Sequence, residues 1–266
     1  MPTCSFLIST YNWPGALALC LASVMKQSVM PDEIIICDDG SKDETRQLIK
    51  QFSLTSAVPI IHVWQPDEGF QLARVRNMGF AASRFEYIVQ VDGDLIFHKD
   101  FLKDHLAFSK LGFFTTGSRV LISQQLTEKM LETQIPIVHN FSLQNSNFFN
   151  RIHLPFLHNA IARKYKTKGK SKYYVKGCNM AFWKTDLINV NGYNEDFTGW
   201  GREDSELAIR LINNNVNKRF LKFGGICYHL NHNLSSREME PINVAMMERS
   251  EREKIKRTEN GLDKFL

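Results

Sequence analysis

The 266 residues include 33 basic and 28 acidic side chains, and 43% of the chain is hydrophobic, as in an ordinary soluble globular protein of one large or two small domains. No apolar run approaches the roughly 18 residues that span a bilayer, and no basic-then-apolar signal peptide opens the chain. The five cysteines lack Cys-x-x-Cys spacing. We therefore expect reduced, buried thiols and a cytoplasmic protein, either free or peripheral on the inner face of the membrane.

The first hundred residues alternate short apolar runs with segments of helical spacing. The runs predict buried strands at 4–9, 33–37, 60–64 and 87–91, and the helical spacing covers 16–27, 43–52 and 71–83. Strands that alternate with helices of about a dozen residues form βαβ units and a mostly parallel sheet. We therefore expect an α/β fold with helices on both faces of the sheet.

The rest of the chain is less regular. Helices are predicted at 99–110 and 204–213 and strands at 113–122, 172–182 and 219–228, whereas 134–172 shows no clear period. From about residue 235 the chain is highly charged, and its spaced Met and Ile side chains indicate an amphipathic helix. These differences divide a single domain into halves 1–98 and 99–233 and a tail 234–266.

Acidic residues follow two of the predicted strands. Asp92 and Asp94 follow the run at 87–91, and Asp38 and Asp39 follow the run at 33–37. Ligands of open α/β sheets bind outside the carboxyl ends of the strands, and carboxylates suit Mn²⁺ or Mg²⁺. The sequence therefore predicts a cation and nucleotide site at this edge of the sheet.

A third acidic pair, Glu203 and Asp204, opens a predicted helix, where unpaired backbone N–H groups favour negative side chains. Capping alone would explain the pair, but Trp200 between two glycines indicates an aromatic platform for a sugar ring. His229 follows the last predicted strand and adds an imidazole.

In these motifs the chain resembles inverting glycosyltransferases of family two, which have the GT-A fold. The segment from Gly177-Cys178-Asn179 to Glu203-Asp204 also looks like the acceptor module of β-1,4-galactosyltransferases and chondroitin-polymerase-type enzymes. The resemblance implies transfer of a hexose or hexosamine (Gal, GalNAc, Glc or GlcNAc) from a UDP-sugar to a glycan acceptor, with inversion and a β-linked product. It also implies a role in surface polysaccharide synthesis (O-antigen, capsule or lipopolysaccharide).

The resemblance also assigns roles. It implies that the donor half, 1–98, binds the UDP-sugar through Ser9, Tyr11, Asp39, Arg76, Asn77 and Asp92. Asp94 and His229 would hold Mn²⁺ or Mg²⁺, with the neighbouring His232 as an alternative ligand. In the acceptor half, 99–233, Asp204 would be the catalytic base and Glu203 would hold acceptor hydroxyls. Further acceptor contacts would come from Asn179, Trp200 and Gly201.

Other interpretations are weaker. A nucleotidyltransferase would favour a Gly-rich phosphate loop with a lysine, which residues 9–15 lack, and a non-catalytic binding module would lack one of Asp94, Asp204 and His229. Between Glu132 and Asp186 there are nine basic residues and no acidic one. No nucleic-acid-binding motif accompanies them. This stretch, including Lys164–Lys172, is therefore either a solvated loop or a segment that covers a lipid-diphosphate-linked acceptor at a membrane surface.

Overall fold

A computed structural model describes residues 1–136, 147–162, 165–233 and 236–266. The strands are β1 (Cys4–Thr10), β2 (Glu33–Asp38), β3 (Ile60–Trp64), β4 (Tyr87–Asp92), β5 (Leu95–Phe97), β6 (Phe113–Thr116), β7 (Val120–Leu121), β8 (Asn179–Trp183), β9 (Asn217–Phe220) and β10 (Cys227–His229). The helices are α1 (Pro14–Val24), α2 (Asp43–Thr55), α3 (Leu72–Ala82), α4 (Phe101–Phe108), α5 (Gln124–Thr133), α6 (His158–Ala162), α7 (Lys184–Val190), α8 (Glu203–Asn213) and α9 (Glu240–Arg252).

The main sheet has seven strands in the order β3-β2-β1-β4-β8-β6-β9. The first four strands pair in parallel, as the alternating sequence pattern predicts. Side chains of β1 alternate between two cores: Phe6 and Ile8 pack with α1 and α4, and Leu7 packs with α3 and α8. Both faces are covered, which explains why these strands are apolar throughout.

Two predicted strands are each divided in the structure. The 113–122 segment forms β6 and β7, and the 219–228 segment forms β9 and β10. In both cases the first part joins the main sheet and the second joins a three-stranded sheet, β5-β10-β7. The predicted 172–182 strand begins only at Asn179 and runs antiparallel to β4 and β6. Helices α5 and α7 were not predicted, because few of their positions are buried.

The three-stranded sheet sets the positions of the two predicted metal ligands, Asp94 and His229. Strands β5 and β10 are antiparallel, and Leu95 faces His229 across the pair. Because Asp94 directly precedes Leu95, this register brings His229 beside Asp94.

The charged tail packs onto helix α8. Ser250 Oγ on α9 donates to Glu206 Oε1 on α8 at 2.9 Å, and Glu206 forms a buried ion pair with Arg210 at 2.8 Å. Leu262 is buried in the core that includes α3. The predicted tail helix is therefore present as α9, folded against the rest of the chain. Among the helices described, none has the length and apolar character needed to cross a membrane.

Candidate active site

A buried arginine joins the two halves of the chain. Arg76 on α3 is 1% exposed, and its guanidinium donates to Asp92 Oδ1 and to Asp204 Oδ1, each at 3.0 Å. Its Nε donates to Ser9 Oγ at 3.2 Å. A planar guanidinium with five N–H donors can hold several acceptors in fixed relation. The structure thus brings together four residues that the resemblance assigned separately to donor binding and catalysis. Because the guanidinium of Arg76 is buried and used by these side chains, Arg76 holds the site together rather than contacting the donor directly.

The position of Asp204 depends on residues from other segments of the chain. Tyr193 Oη donates to Asp204 Oδ1 at 2.8 Å, the oxygen that Arg76 also contacts. The second oxygen, Oδ2, lies against Gly177, where a Cβ would come within 1.9 Å of it. Gln90 fixes both neighbours, because its Nε2 donates to the Gly177 carbonyl and to the Tyr193 hydroxyl, each at 2.9 Å. Only glycine at position 177 permits this arrangement.

Glu203 is more deeply buried than its neighbour. It is 8% exposed, and its Oε1 lies 3.7 Å from Arg76 Nη1. Burial, and then the nearby Asp204, raise the pKa of Glu203 to about 8, although Arg76 opposes them. At neutral pH this carboxyl therefore holds a proton and can donate a hydrogen bond.

One aspartate and two histidines form a cluster suited to a divalent cation. Asp94 Oδ2 lies 3.4 Å from His229 Nε2 and 3.2 Å from His232 Nε2. One potential ligand atom from each residue lies within 4.8 Å of the others. The structure thus places His232, the weaker candidate from sequence, beside both predicted ligands.

The hydrogen bonds around this cluster fit a bound metal. His229 Nδ1 donates to the Leu230 carbonyl at 2.8 Å, and His232 Nδ1 donates to the Asn233 carbonyl at 2.6 Å. With the proton on Nδ1, a neutral ring presents an Nε2 lone pair towards Asp94. Asp94 Oδ1 is buried and has no hydrogen-bond partner among the described residues. Imidazole together with carboxylate suits Mn²⁺ better than Mg²⁺.

The two aspartates after β2 have different surroundings. Asp39 Oδ1 accepts from Gln65 Nε2 at 2.5 Å, and its Oδ2 accepts from the Gln71 backbone N–H at 3.0 Å. Burial raises the pKa of Asp39 to about 6, although these hydrogen bonds oppose it. Asp38 instead accepts from the Ser41 backbone N–H at 2.8 Å and braces the turn. Asp39 lies at the sheet edge that carries the rest of the site, and its contact with a nucleobase stays a prediction.

The loop before α8 is held by the tail. Asn243 on α9 is buried, and its Nδ2 donates to the carbonyls of Gly201 and Thr198 at 2.9 and 3.2 Å. Gly201 has a φ of 109°, which glycine adopts readily. The ring of Trp200 is partly exposed, and the Arg237 guanidinium stacks over it at 4.9 Å. Tyr11, which follows β1, is exposed. Its hydroxyl donates to Asp67 Oδ2 at 2.9 Å.

Two predicted ligand residues occupy other positions. Asn77 and Asn179 are both 0% exposed. Asn77 Nδ2 donates to the Tyr193 carbonyl and to Glu195 Oε1, each at 2.9 Å, and Asn179 Nδ2 donates to the carbonyls of Ser118 and Gly225. Their amides are used inside the protein, so direct donor contact by Asn77 and acceptor contact by Asn179 do not fit this geometry. Asn77 thereby contacts Tyr193, the residue that hydrogen-bonds Asp204, and Asn179 joins the segments at Ser118 and Gly225.

Two residues at the site were not predicted from the sequence, Tyr193 and Arg119. Tyr193 holds Asp204, but nothing near it in the sequence marks its role. Arg119 lies before β7, donates to Cys178 Sγ at 3.4 Å, and helps to lower the pKa of Asp94. It lies inside the predicted strand 113–122, where the sequence pattern does not mark it as a site residue.

Part of the acid-free basic stretch lies close to the site. Asn150 Nδ2 donates to the Arg119 carbonyl at 3.0 Å, and the Arg151 guanidinium lies 5.7 Å from the centre of the Tyr228 ring. Phe149 and Phe156 are strongly exposed. Lys164, which belongs to the predicted membrane-facing set, lies outside the described residues.

Two family models match the chain. One, described as Glycosyl transferase family 2, matches residues 5–169, and one described as N-terminal domain of galactosyltransferase matches residues 157–233. The chain belongs to glycosyl transferase family 2. The predicted family and the galactosyltransferase-like character of the C-terminal region are confirmed.

Relatives of this family-two chain include two polysaccharide synthases. It is 30% identical to chondroitin synthase of Escherichia coli over 85% of this chain and 34% of that protein. It is 27% identical to hyaluronan synthase of Pasteurella multocida over 78% of this chain and 22% of that protein. The chain thus spans about a third or less of the length of these relatives.

Solved structures share the fold at low identity. S. aureus TarS in complex with UDP-GlcNAc matches with a TM-score of 0.65 at 15% identity, over 99% of this chain and 69% of that chain. A mannosyltransferase from Pyrobaculum calidifontis, in complex with GDP-Man and Mn²⁺, matches with a TM-score of 0.58 at 14% identity, over 92% of this chain and 69% of that chain. The predicted GT-A architecture is confirmed by this likeness.

Proposed function

We propose that this family-two glycosyltransferase is metal-dependent and inverting, and moves a hexose or hexosamine from a UDP-sugar to a glycan acceptor in surface polysaccharide synthesis. The observation that carries the proposal is the Arg76 network, which holds Asp92 of the donor half and Asp204 of the acceptor half on one guanidinium. The UDP-GlcNAc complex of TarS and the polysaccharide products named for the relatives support the donor and the pathway.

On the donor side, Asp39 accepts a hydrogen bond from the uracil N–H, and Ser9, Tyr11 and Asp92 lie along the path towards the sugar. Asp94, His229 and His232 are the residues that would hold Mn²⁺. When bound, the cation stabilises the negative charge of the departing diphosphate, so no strong acid is needed. Arg119 adds a positive charge from the chain itself on the same side.

On the acceptor side, Asp204 is the catalytic base. Its Oδ1 carries the hydrogen bonds from Arg76 and Tyr193, which leaves Oδ2 to receive the proton of an acceptor hydroxyl. The hydroxyl oxygen attacks the anomeric carbon as the bond to the diphosphate breaks, and this single displacement inverts the configuration. Glu203, protonated at neutral pH, donates a hydrogen bond to a second acceptor hydroxyl, and the Trp200 ring supports the sugar.

The acceptor is either a free glycan or one linked to a lipid diphosphate at the inner face of the cytoplasmic membrane. The lipid-linked acceptor is supported by the exposed side chains of Phe149 and Phe156, which lie within the acid-free basic stretch.

The direct test is a screen of nucleotide-sugars with purified protein and Mn²⁺, in which released nucleotide is measured and the product is identified by mass and anomeric configuration. We expect turnover of a UDP-sugar with a β-linked product, loss of turnover with a chelator, and recovery with Mn²⁺. Full turnover in excess chelator would exclude metal dependence, and an α-linked product would exclude inversion.

A further inference from the structure

A second group of potential metal ligands lies outside the active site. His98 and Asp100 precede α4, and His153 comes from the irregular stretch that follows residue 147. One potential ligand atom from each lies within 4.8 Å of the others. The two imidazole rings have centroids 4.8 Å apart, and a cavity of about 200 Å³ beside them is lined by Asp100, Asp104 and His153 among others.

The surroundings of His153 resemble those of a metal-bound imidazole. Buried Asp104 accepts from His153 Nε2 at 2.9 Å, and the same carboxylate oxygen accepts from the Gly225 backbone N–H at 2.9 Å. A carboxylate that fixes one ring nitrogen leaves the other with its lone pair, as in the carboxylate–histidine–zinc arrangement. Ser28 Oγ orients Asp100 by donating to its Oδ1 at 2.7 Å.

We infer that His98, Asp100 and His153 bind Zn²⁺, with Asp104 as a positioning residue behind His153. Two imidazoles and one carboxylate are common zinc ligands. Ligation by His98 would displace the hydrogen bond that its Nδ1 accepts from the Asp100 backbone N–H at 3.2 Å. The ion would fasten the stretch containing His153 to the start of α4. Asn150 and Arg151 of that stretch contact Arg119 and Tyr228 next to the active site, so the ion would stabilise one wall of that site.

This inference does not depend on the proposed function, and its test counts metal rather than activity. Apoprotein is dialysed against Zn²⁺, and bound zinc is measured by mass spectrometry. The cluster of Asp94, His229 and His232 would also take up zinc. We therefore expect about two ions per wild-type chain, about one for Asp94→Ala, and none for Asp94→Ala combined with His153→Ala.

The matched control is His62→Ala, since His62 also contacts an aspartate, Asp38, at 2.9 Å. In the Asp94→Ala background it should leave the remaining ion bound. Asp104→Asn, which preserves shape, should weaken this zinc about 10- to 100-fold. His98→Gln provides a second ligand variant if His153→Ala does not fold. The inference would be overturned if folded variants at both His98 and His153 bound as much zinc, and as tightly, as the His62→Ala control. The cluster would then be a hydrogen-bonded network without a metal.

Discussion

Residues 1–98 and residues 99–233, the predicted donor and acceptor halves, build their parts of the site in different ways. In the donor half, Ser9, Asp39 and Asp92 each stand at the carboxyl end of a parallel strand, so local pattern places them at one edge of the sheet. In the acceptor half, Asp204 is placed by Tyr193, Gly177 and Arg76, the last of which lies 128 positions away in the sequence. Local sequence pattern therefore places the predicted donor-binding residues, whereas the proposed base, Asp204, is placed by tertiary packing.

The largest effect is expected on the donor side. Asp94→Ala removes the carboxylate between His229 and His232, and activity with Mn²⁺ should fall to background because the departing diphosphate loses its counter-charge. Mn²⁺ binding, followed by electron paramagnetic resonance, should weaken in parallel. Asp43→Ala is the control, because Asp43 is exposed in the first turn of α2 and belongs to neither cluster. Wild-type turnover by Asp94→Ala would remove this residue from the metal site.

The dependence of the base on packing is tested by Gly177→Ala. The added Cβ would lie within 1.9 Å of Asp204 Oδ2, so the carboxylate must move. We expect kcat to fall roughly 10²- to 10⁴-fold, as for loss of a general base, while UDP affinity is retained. Gly15→Ala is the control, since its Cβ would meet no atom closer than 3.4 Å. Equal rates for the two variants would show that the base does not need this packing.

A smaller effect concerns Glu203 and stability. Its pKa is raised from 4.5 to about 8 by burial and by Asp204, so the folded protein keeps a proton that the unfolded chain releases at lower pH. This contribution to stability is complete below about pH 4.5 and is lost as the pH rises through about 8. Glu203→Gln removes this pH-dependent contribution. As the pH rises from about 5 to 9, the Tm of the wild type should therefore fall by a few °C more than the Tm of the variant.

Thermal unfolding followed by circular dichroism measures this difference. Glu44→Gln, an exposed change in the first turn of α2, is the control and should follow the wild type across the pH range. A constant offset between the wild type and Glu203→Gln would contradict the raised pKa.

The same contrast explains what the sequence could predict. Strands β1 to β4 and helices α1 to α3 were predicted within a few residues, because regular periodicity and burial on both sheet faces dictate them. The division of 113–122 and 219–228 between two sheets was missed, since an apolar run does not reveal which sheet it joins. Tyr193 and the burial of Asn179 were also missed. Tyr193 contacts Gln90, 103 positions away, and Asn179 contacts Gly225, 46 positions away, and sequence pattern does not reveal such contacts.

The central claim is that Asp204 is the base, positioned by groups from both halves. The most direct measurement is the single-turnover rate of Asp204→Asn, with UDP-sugar and Mn²⁺ affinities determined on the same protein. The amide oxygen can still accept from Arg76 and Tyr193 but cannot take the proton, so we expect a loss of roughly 10²- to 10⁴-fold in rate with little change in either affinity. A near-wild-type rate for Asp204→Asn, together with an inactive Glu203→Gln, would contradict the claim and assign the base to Glu203.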